Sequence, residues 1–214
     1  GAPAAPVSPA YSLLSQDHVK LRYIVELIRP AVVMVQDGPS FAKALAALDL
    51  TGVTLVHVQR APEGLASRAY ADLAATVPTP AVAAALAALS GDSIGKLLFT
   101  SGSTGMPKGV INTQRMMCAN MAMTLQTRTQ PDDDEPPVYL DWLPWNHTMG
   151  GNATFHGLLG HGGTLYIDEG RPLPGAFDTT LRNLREVSPT TFSHVPAGYA
   201  MLATALEQDE TPAR

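Results

Sequence analysis

The sequence predicts an α/β protein of parallel-sheet layers flanked by helices, and three observations carry that expectation. A β-branched run, "AVVMVQD" from Ala31, leads into a helical stretch, "SFAKALAAL" from Ser40, and then into a second short apolar run, "GVTLVHV" from Gly52. Strand, helix, strand in that order implies parallel pairing, because the helix is the crossover that returns the chain to the same end of the sheet. The alternation resumes after residue 94, and at 214 residues with 45% hydrophobic content the chain is long enough to bury a substantial core.

Residues 1–10 carry three prolines and four alanines, so they suit an extended lead-in better than a helix, and the fold is expected to begin after them. "SLLSQDHVKLRYIVELI", residues 12–28, repeats Leu13, Leu14, Leu21, Ile24, Val25 and Ile28 mostly at three- and four-residue spacings and predicts one helix, stopped by Pro30. Ser40 is its own helix's expected N-cap. Residues 61–93 are alanine-rich and hold Pro62, Pro78 and Pro80, which predicts a loop and one small helix. Strands are expected over 95–100, 138–143 and 164–168, the last following "GHGG". Helices are expected over 112–128, 178–187 and 197–207, the last two flanking a strand "TTFSHV". "PDDDEPP", residues 131–137, reads as a breaker-rich loop with a solvated acidic run. The group Met116, Met117, Met121 and Met123 reads as core filler.

A net charge of -5 and a pI near 5.6 argue against nucleic acid as the main partner, because no excess of lysine or arginine exists to displace counterions. The mean hydropathy of +0.05 is that of a soluble domain, with charge on the low side. Cys118 is the sole cysteine, which fits a reducing compartment and reads as a small packed residue. The longest apolar run, "AVAAALAAL" from Ala81, is far too short to span a bilayer. A cytoplasmic location with no membrane partner is the expectation.

The chemistry concentrates in "LLFTSGSTGMPKGV", residues 97–110. Ser101, Gly102, Ser103, Thr104 and Gly105 supply closely spaced backbone N–H groups and three hydroxyls, and the glycines let the main chain approach a ligand without Cβ clashes. Lys108, just past Pro107, adds an ammonium that neutralises phosphate without demanding one geometry. The Walker pattern fails on spacing: five residues beyond Gly102 stands Pro107, and Gly109 follows Lys108. A nucleophile elbow also fails, since Ser101 stands where its first glycine belongs.

"TSGSTGMPKG", from Thr100 to Gly109, resembles the phosphate-loop signature of the adenylate-forming superfamily, which includes acyl- and aryl-CoA synthetases, peptide-synthetase adenylation domains and luciferases. "YLDWLPWNHTMGGN", from Tyr139, resembles the aromatic-and-histidine motif that follows it, and its Trp-Asn-His form is similar to feruloyl-CoA synthetases. "PVSPAYSLLSQDHVKLRYIVELIRP" and "FSHVPAGYAML" also resemble that subgroup. The resemblance implies part of a large N-terminal AMP-binding domain, with a flavodoxin-like βαβ segment over 1–95 and a phosphate-loop and acyl-pocket segment over 96–214. It implies a carboxylic acid, aryl and hydroxycinnamate-like, joined to ATP with release of pyrophosphate, then passed to the thiol of coenzyme A. Mg2+ is expected with ATP, held mainly by phosphate oxygens, with no protein metal ligands assigned.

On that resemblance Thr100, Ser101, Gly102, Ser103, Thr104, Gly105 and Lys108 hold the β- and γ-phosphates, and His147 sits near the reacting acyl group. Trp145 either lines the aryl pocket or fills core, whereas Trp142 reads as core. His194 and the 196–199 stretch are weaker candidates for the acyl-pocket wall and receive no catalytic role. His156 and His161 lack metal-ligand spacing.

The family's Tyr-Gly-x-Thr-Glu and Thr-Gly-Asp stretches, hinge and C-terminal lid domain are missing from the sequence, and it starts within a family motif. The expectation is a fragment that lacks complete catalysis by itself and whose partners include the missing parts of its own chain. The alternatives are a non-catalytic nucleotide-binding or interaction module, and an inert piece forming a homodimer through uncovered edges.

Overall fold

A computed structural model of the protein describes residues 2–100, 105–127 and 136–208. The chain divides into two units, Gly1–Asn112 and Thr113–Arg214. Both alternate helices with parallel strand pairs. Among the described residues no helix is long and apolar enough to cross a membrane.

In the first unit the helix expected over 12–28 is two helices, α1 (Ala10–Leu13) and α2 (Val19–Ile28). The break is made by side chains that compete for backbone donors. Ser15 Oγ accepts the His18 amide at 3.0 Å, Asp17 Oδ1 accepts the Val19 amide at 3.2 Å, and His18 takes a left-handed conformation at φ 51. At the other end Arg29 turns left-handed at φ 44 and donates its N–H to the Val25 carbonyl, closing α2 one residue before Pro30. The lead-in is also more ordered than its prolines imply. The Ala4 amide donates to the Gly95 carbonyl at 3.1 Å and the Leu97 amide to the Ala4 carbonyl at 2.8 Å, so the fold begins before residue 10.

β1 (Val32–Val35), α3 (Gly38–Ala46) and β2 (Thr54–His57) realise the predicted crossover, with β1 and β2 parallel and Val32 opposite Thr54 through to Val35 opposite His57. A two-residue strand, β3 (Arg68–Ala69), extends the sheet in the order β1-β2-β3. Val35, Leu45 and Leu55 form the core beneath it, packed by Val33, Phe41 and Leu50. Each such side chain contributes roughly 1.5–3 kcal/mol through removal from water. The cap of α3 is Asp37, not Ser40: the Ser40 amide donates to Asp37 Oδ2 at 3.2 Å, with a proline in the first turn. Arg60 grips the same carboxylate with Nε and a terminal nitrogen, both at 2.7 Å. A Cβ on Gly38 would stand 2.2 Å from the Pro62 nitrogen, so this close approach admits glycine alone.

Between residues 61 and 93 there are two small helices where one was expected, α4 (Tyr70–Ala74) and α5 (Pro80–Ala87), neither with a buried residue. β4 (Ile94–Thr100) pairs with β5 (Lys108–Thr113), a strand the sequence did not announce. Gly109 and Asn112 are poor strand formers. Pairing with β4 decides the matter, with Gly109 lying against Phe99: a Cβ there would meet its ring at 3.3 Å.

The second unit contains α6 (Gln114–Thr127), β6 (Val138–Asp141), a π-helical segment (Met149–Thr154), α7 (Phe155–His161), β7 (Thr164–Ile167), α8 (Phe177–Val187) and α9 (Pro196–Gln208). β6 and β7 are parallel, from Val138 opposite Thr164 to Asp141 opposite Ile167. Gly162, at φ 72, closes α7, and a Cβ on Gly163 would stand 2.2 Å from the Pro137 carbonyl oxygen. The last two glycines of "GHGG", Gly162 and Gly163, thus serve the turn into β7. "TTFSHV" forms no strand, only a bridge from Thr191 to Tyr139. Asp168, buried at the end of β7, accepts from the Gly170 amide, the Thr180 hydroxyl and the Asn183 side-chain amide, tying the strand to α8. Met116 and Met123 are not core filler: each is 58% exposed, and Cys118 is exposed on the same helix.

Candidate functional site

The two motifs singled out by the sequence fall in different units, and each has its own geometry. In the first unit, Thr100 is the exposed last residue of β4 and Lys108 the exposed first residue of β5. Paired strands therefore hold both ends of the connection. Ser101, Gly102, Ser103 and Thr104 lie outside the described residues. Gly105 has φ +91, a left-handed value that favours glycine, and nothing lies within 4 Å of where its Cβ would be. Pro107 is among the most completely buried side chains, which anchors the chain one residue before Lys108. No carboxylate among the described residues pairs with the Lys108 ammonium. A cation with no counter-charge among the described residues, near an open backbone at Gly105, fits an anionic ligand such as a triphosphate.

In the second unit, β6 ends in a loop whose local bonds shape His147. The His147 amide donates to the Pro144 carbonyl at 3.0 Å, its carbonyl accepts the Gly151 amide at 2.8 Å, and its Nδ1 accepts the Met149 amide at 3.2 Å. In the neutral ring the proton is then on Nε2, which has no hydrogen-bond partner among the described residues. The segment that follows is π-helical, an arrangement frequent at functional sites. Gly150 is required there: a Cβ would stand 2.7 Å from the Leu143 carbonyl oxygen and 2.8 Å from that of Pro144. Trp145 is 44% exposed, with its ring 4.6 Å from Phe155, so it lies at the surface of the unit and not in its core. An exposed histidine with one ring nitrogen unpartnered among the described residues, two residues from an exposed tryptophan in the chain, is equipped to meet a polar group on a ligand.

Sequence reasoning passed over Asp141, the last residue of β6. It is 7% exposed, and its Oδ1 accepts the Leu143 amide at 2.9 Å. Burial pushes its carboxyl up from the ordinary range, opposed chiefly by the hydrogen bond from the Leu143 amide. A carboxylate closing an apolar strand, "VYLD", was the available signal. His194 is packed: it is 5% exposed among Trp142, Phe177, Phe192 and Tyr199. The acidic run Asp132, Asp133, Asp134 and Glu135 lies outside the described residues. Among the described residues no group of three or more His, Cys, Asp or Glu side chains is arranged to hold a metal ion.

Comparison with known proteins bears on these arrangements. The family model described as AMP-binding enzyme matches residues 1–214. The carboxylic acid reductase of Mycobacterium marinum is 35% identical over 115 residues, 53% of this chain and 9% of the reductase. Two solved structures share the fold. A malonyl-CoA ligase in a ternary product complex with methylmalonyl-CoA and AMP aligns with a TM-score of 0.63 and 20% identity over 97% of this chain. The O-succinylbenzoate coenzyme A synthetase of Bacillus subtilis, in complex with ATP and magnesium ion, aligns with a TM-score of 0.62 and 19% identity over 99%. The chain spans 37% of each of those two proteins.

Proposed function

The chain belongs to the AMP-binding enzyme family, and from that premise we propose that it forms the nucleotide-handling part of an ATP-dependent carboxylate–CoA ligase acting on an aryl acid such as ferulate. One observation carries the reading: the block from Thr100 to Gly109 sits between two paired strands within a family match that runs over the whole chain. The Trp-Asn-His form of the 145–147 stretch supports the aryl substrate.

In this reading the substrate carboxylate oxygen attacks the α-phosphorus of ATP and pyrophosphate leaves, giving an acyl-adenylate. The thiol of coenzyme A then takes the acyl group and AMP leaves. Little acid–base chemistry is needed in the first step, so the protein's task is alignment and stabilisation of charge on the leaving group. Thr100, Ser101, Gly102, Ser103, Thr104, Gly105 and Lys108 take the β- and γ-phosphates through main-chain amides, hydroxyls and one ammonium. Mg2+ supplies further charge neutralisation on the phosphate oxygens. His147 acts at the acyl group through Nε2. The 214 residues alone lack complete catalysis in this proposal, and the remaining parts come from the longer protein.

ATP–pyrophosphate exchange in the full-length protein tests it. Lys108→Ala is expected to lower exchange on the order of 10²-fold, the usual cost of one charge-stabilising donor. Unchanged exchange removes Lys108 from the site. His147→Ala is expected to slow adenylation or thioester formation, and equal rates for both steps would exclude it. Tight Mg-ATP binding with no turnover by the full-length protein would favour a binding module instead.

A further inference from the structure

Three buried side-chain atoms of the second unit have no hydrogen-bond partner among the described residues: Asp141 Oδ2, Trp142 Nε1 and His194 Nε2. They belong to one neighbourhood. Asp141 ends β6 and Trp142 follows it, the Trp142 and His194 rings are 5.5 Å apart between centroids, and His194 lies within electrostatic reach of the Asp141 carboxyl. Orphaned buried donors and acceptors are costly, and each calls for a partner.

The other atoms of these side chains hold them in place. Asp141 Oδ1 is taken by the Leu143 amide at 2.9 Å. His194 Nδ1 accepts the Val195 amide at 3.0 Å, so in the neutral ring Nε2 carries the proton. The ring is pressed onto Gly198, where a Cβ would lie 1.8 Å from Nδ1, and Phe192 stands 5.3 Å away between centroids. The neighbourhood therefore presents two N–H donors, from Trp142 and His194, and one carboxylate acceptor, from Asp141.

The complement of that set is an atom that accepts twice and donates once. A hydroxyl oxygen does both; a second carboxylate repels Asp141, an ammonium has no lone pair for the two N–H groups, and an ether oxygen has no proton for Asp141. We propose that Asp141, Trp142 and His194 bind one hydroxyl oxygen, supplied either by an internal water or by a hydroxyl group on the acyl substrate. The site follows the carboxyl end of a parallel strand, on the loop that leads to His147, where open α/β sheets bind ligands. Only the second source rests on the ligase reading.

The test uses crystals of the full-length protein that resolve ordered water, grown without acid and with a 4-hydroxy aryl acid, together with the Trp142 indole N–H resonance. An oxygen on all three side chains without acid, and an indole resonance that no acid moves, identifies water. An oxygen present only with the hydroxy acid identifies the substrate hydroxyl. The indole resonance then moves with the hydroxy acid but not with its 4-methoxy or unsubstituted analogue, and binding is about tenfold tighter for the hydroxy acid. Trp142→Phe and His194→Phe are each expected to remove the oxygen or the tenfold preference. No oxygen in either crystal, or Asp141 bonded directly to His194, overturns the proposal. Absence of pyrophosphate exchange with every acid would overturn the ligase reading and leave the oxygen site standing. An empty site in an exchanging enzyme would overturn the site alone.

Discussion

Two aspartates at strand ends respond to folding in opposite directions. Hydrogen bonds from Arg60, and then from Ser40, hold the Asp37 carboxyl well below the usual carboxylate range. Its contribution to stability is complete above the ordinary value of about 3.9 and is lost as pH falls toward the lower folded value. Asp141 is raised by burial, so its contribution is complete below about 3.9 and declines as pH rises through the higher folded value. Asp37→Asn is expected to remove stability at neutral pH and to flatten the acid limb. Asp141→Asn is expected to remove the opposing slope. Denaturant midpoints measured from about pH 3 to pH 7 check both. Asp37 was legible as a strand end, yet the capping role was assigned to Ser40, because both residue types cap helices and only the register of Pro39 in the first turn separates them. Residue identity likewise does not encode the exposure of Met116, Met123 or Cys118, which depends on what packs against α6.

Elements differ in what holds them. α2 buries Ile24 completely, so Ile24→Ala is expected to cost about 2–5 kcal/mol in a denaturation experiment. α5 buries nothing and is carried by alanine's intrinsic preference alone. Helices that short are marginal without tertiary packing. Its amides are therefore expected to exchange with solvent far faster than those of α2, and Ala84→Gly to leave the global denaturation midpoint unchanged. Strong protection across α5 would contradict this. Legibility followed the same division. β1, α3 and β2 were readable because their periodicity and their buried faces agree. The break between α1 and α2 was not, because hydrogen bonds from Ser15 and Asp17 interrupt an apolar repeat that continues straight through them. β5 was hidden by Gly109 and Asn112, whose strand conformation comes from pairing and not from preference.

Across the molecule, strand side chains stand uncovered in every sheet: Val32 and Met34 on β1, Val110 and Ile111 on β5, and Tyr166 and Ile167 on β7, from 45% to 69% exposed. Parallel sheets are ordinarily covered on both faces. The 214-residue chain is therefore expected to bind an apolar fluorescent dye strongly while retaining native circular dichroism, and weak dye binding would count against exposure of these strands. With a net charge of -5 it is expected to pass unretained over duplex DNA at low ionic strength. The sequence by itself determined the α/β alternation and the parallel crossover, since periodicity and turn chemistry are local properties of a chain, and its spacing of glycines, hydroxyls and a lysine carries the proposal that residues 100–108 hold an anion. Only the tertiary structure decided which aspartate caps α3, which methionines face solvent, and that Asp141 Oδ2, Trp142 Nε1 and His194 Nε2 are buried. Burial and pairing arise from contacts between residues far apart in sequence, and no local pattern records them.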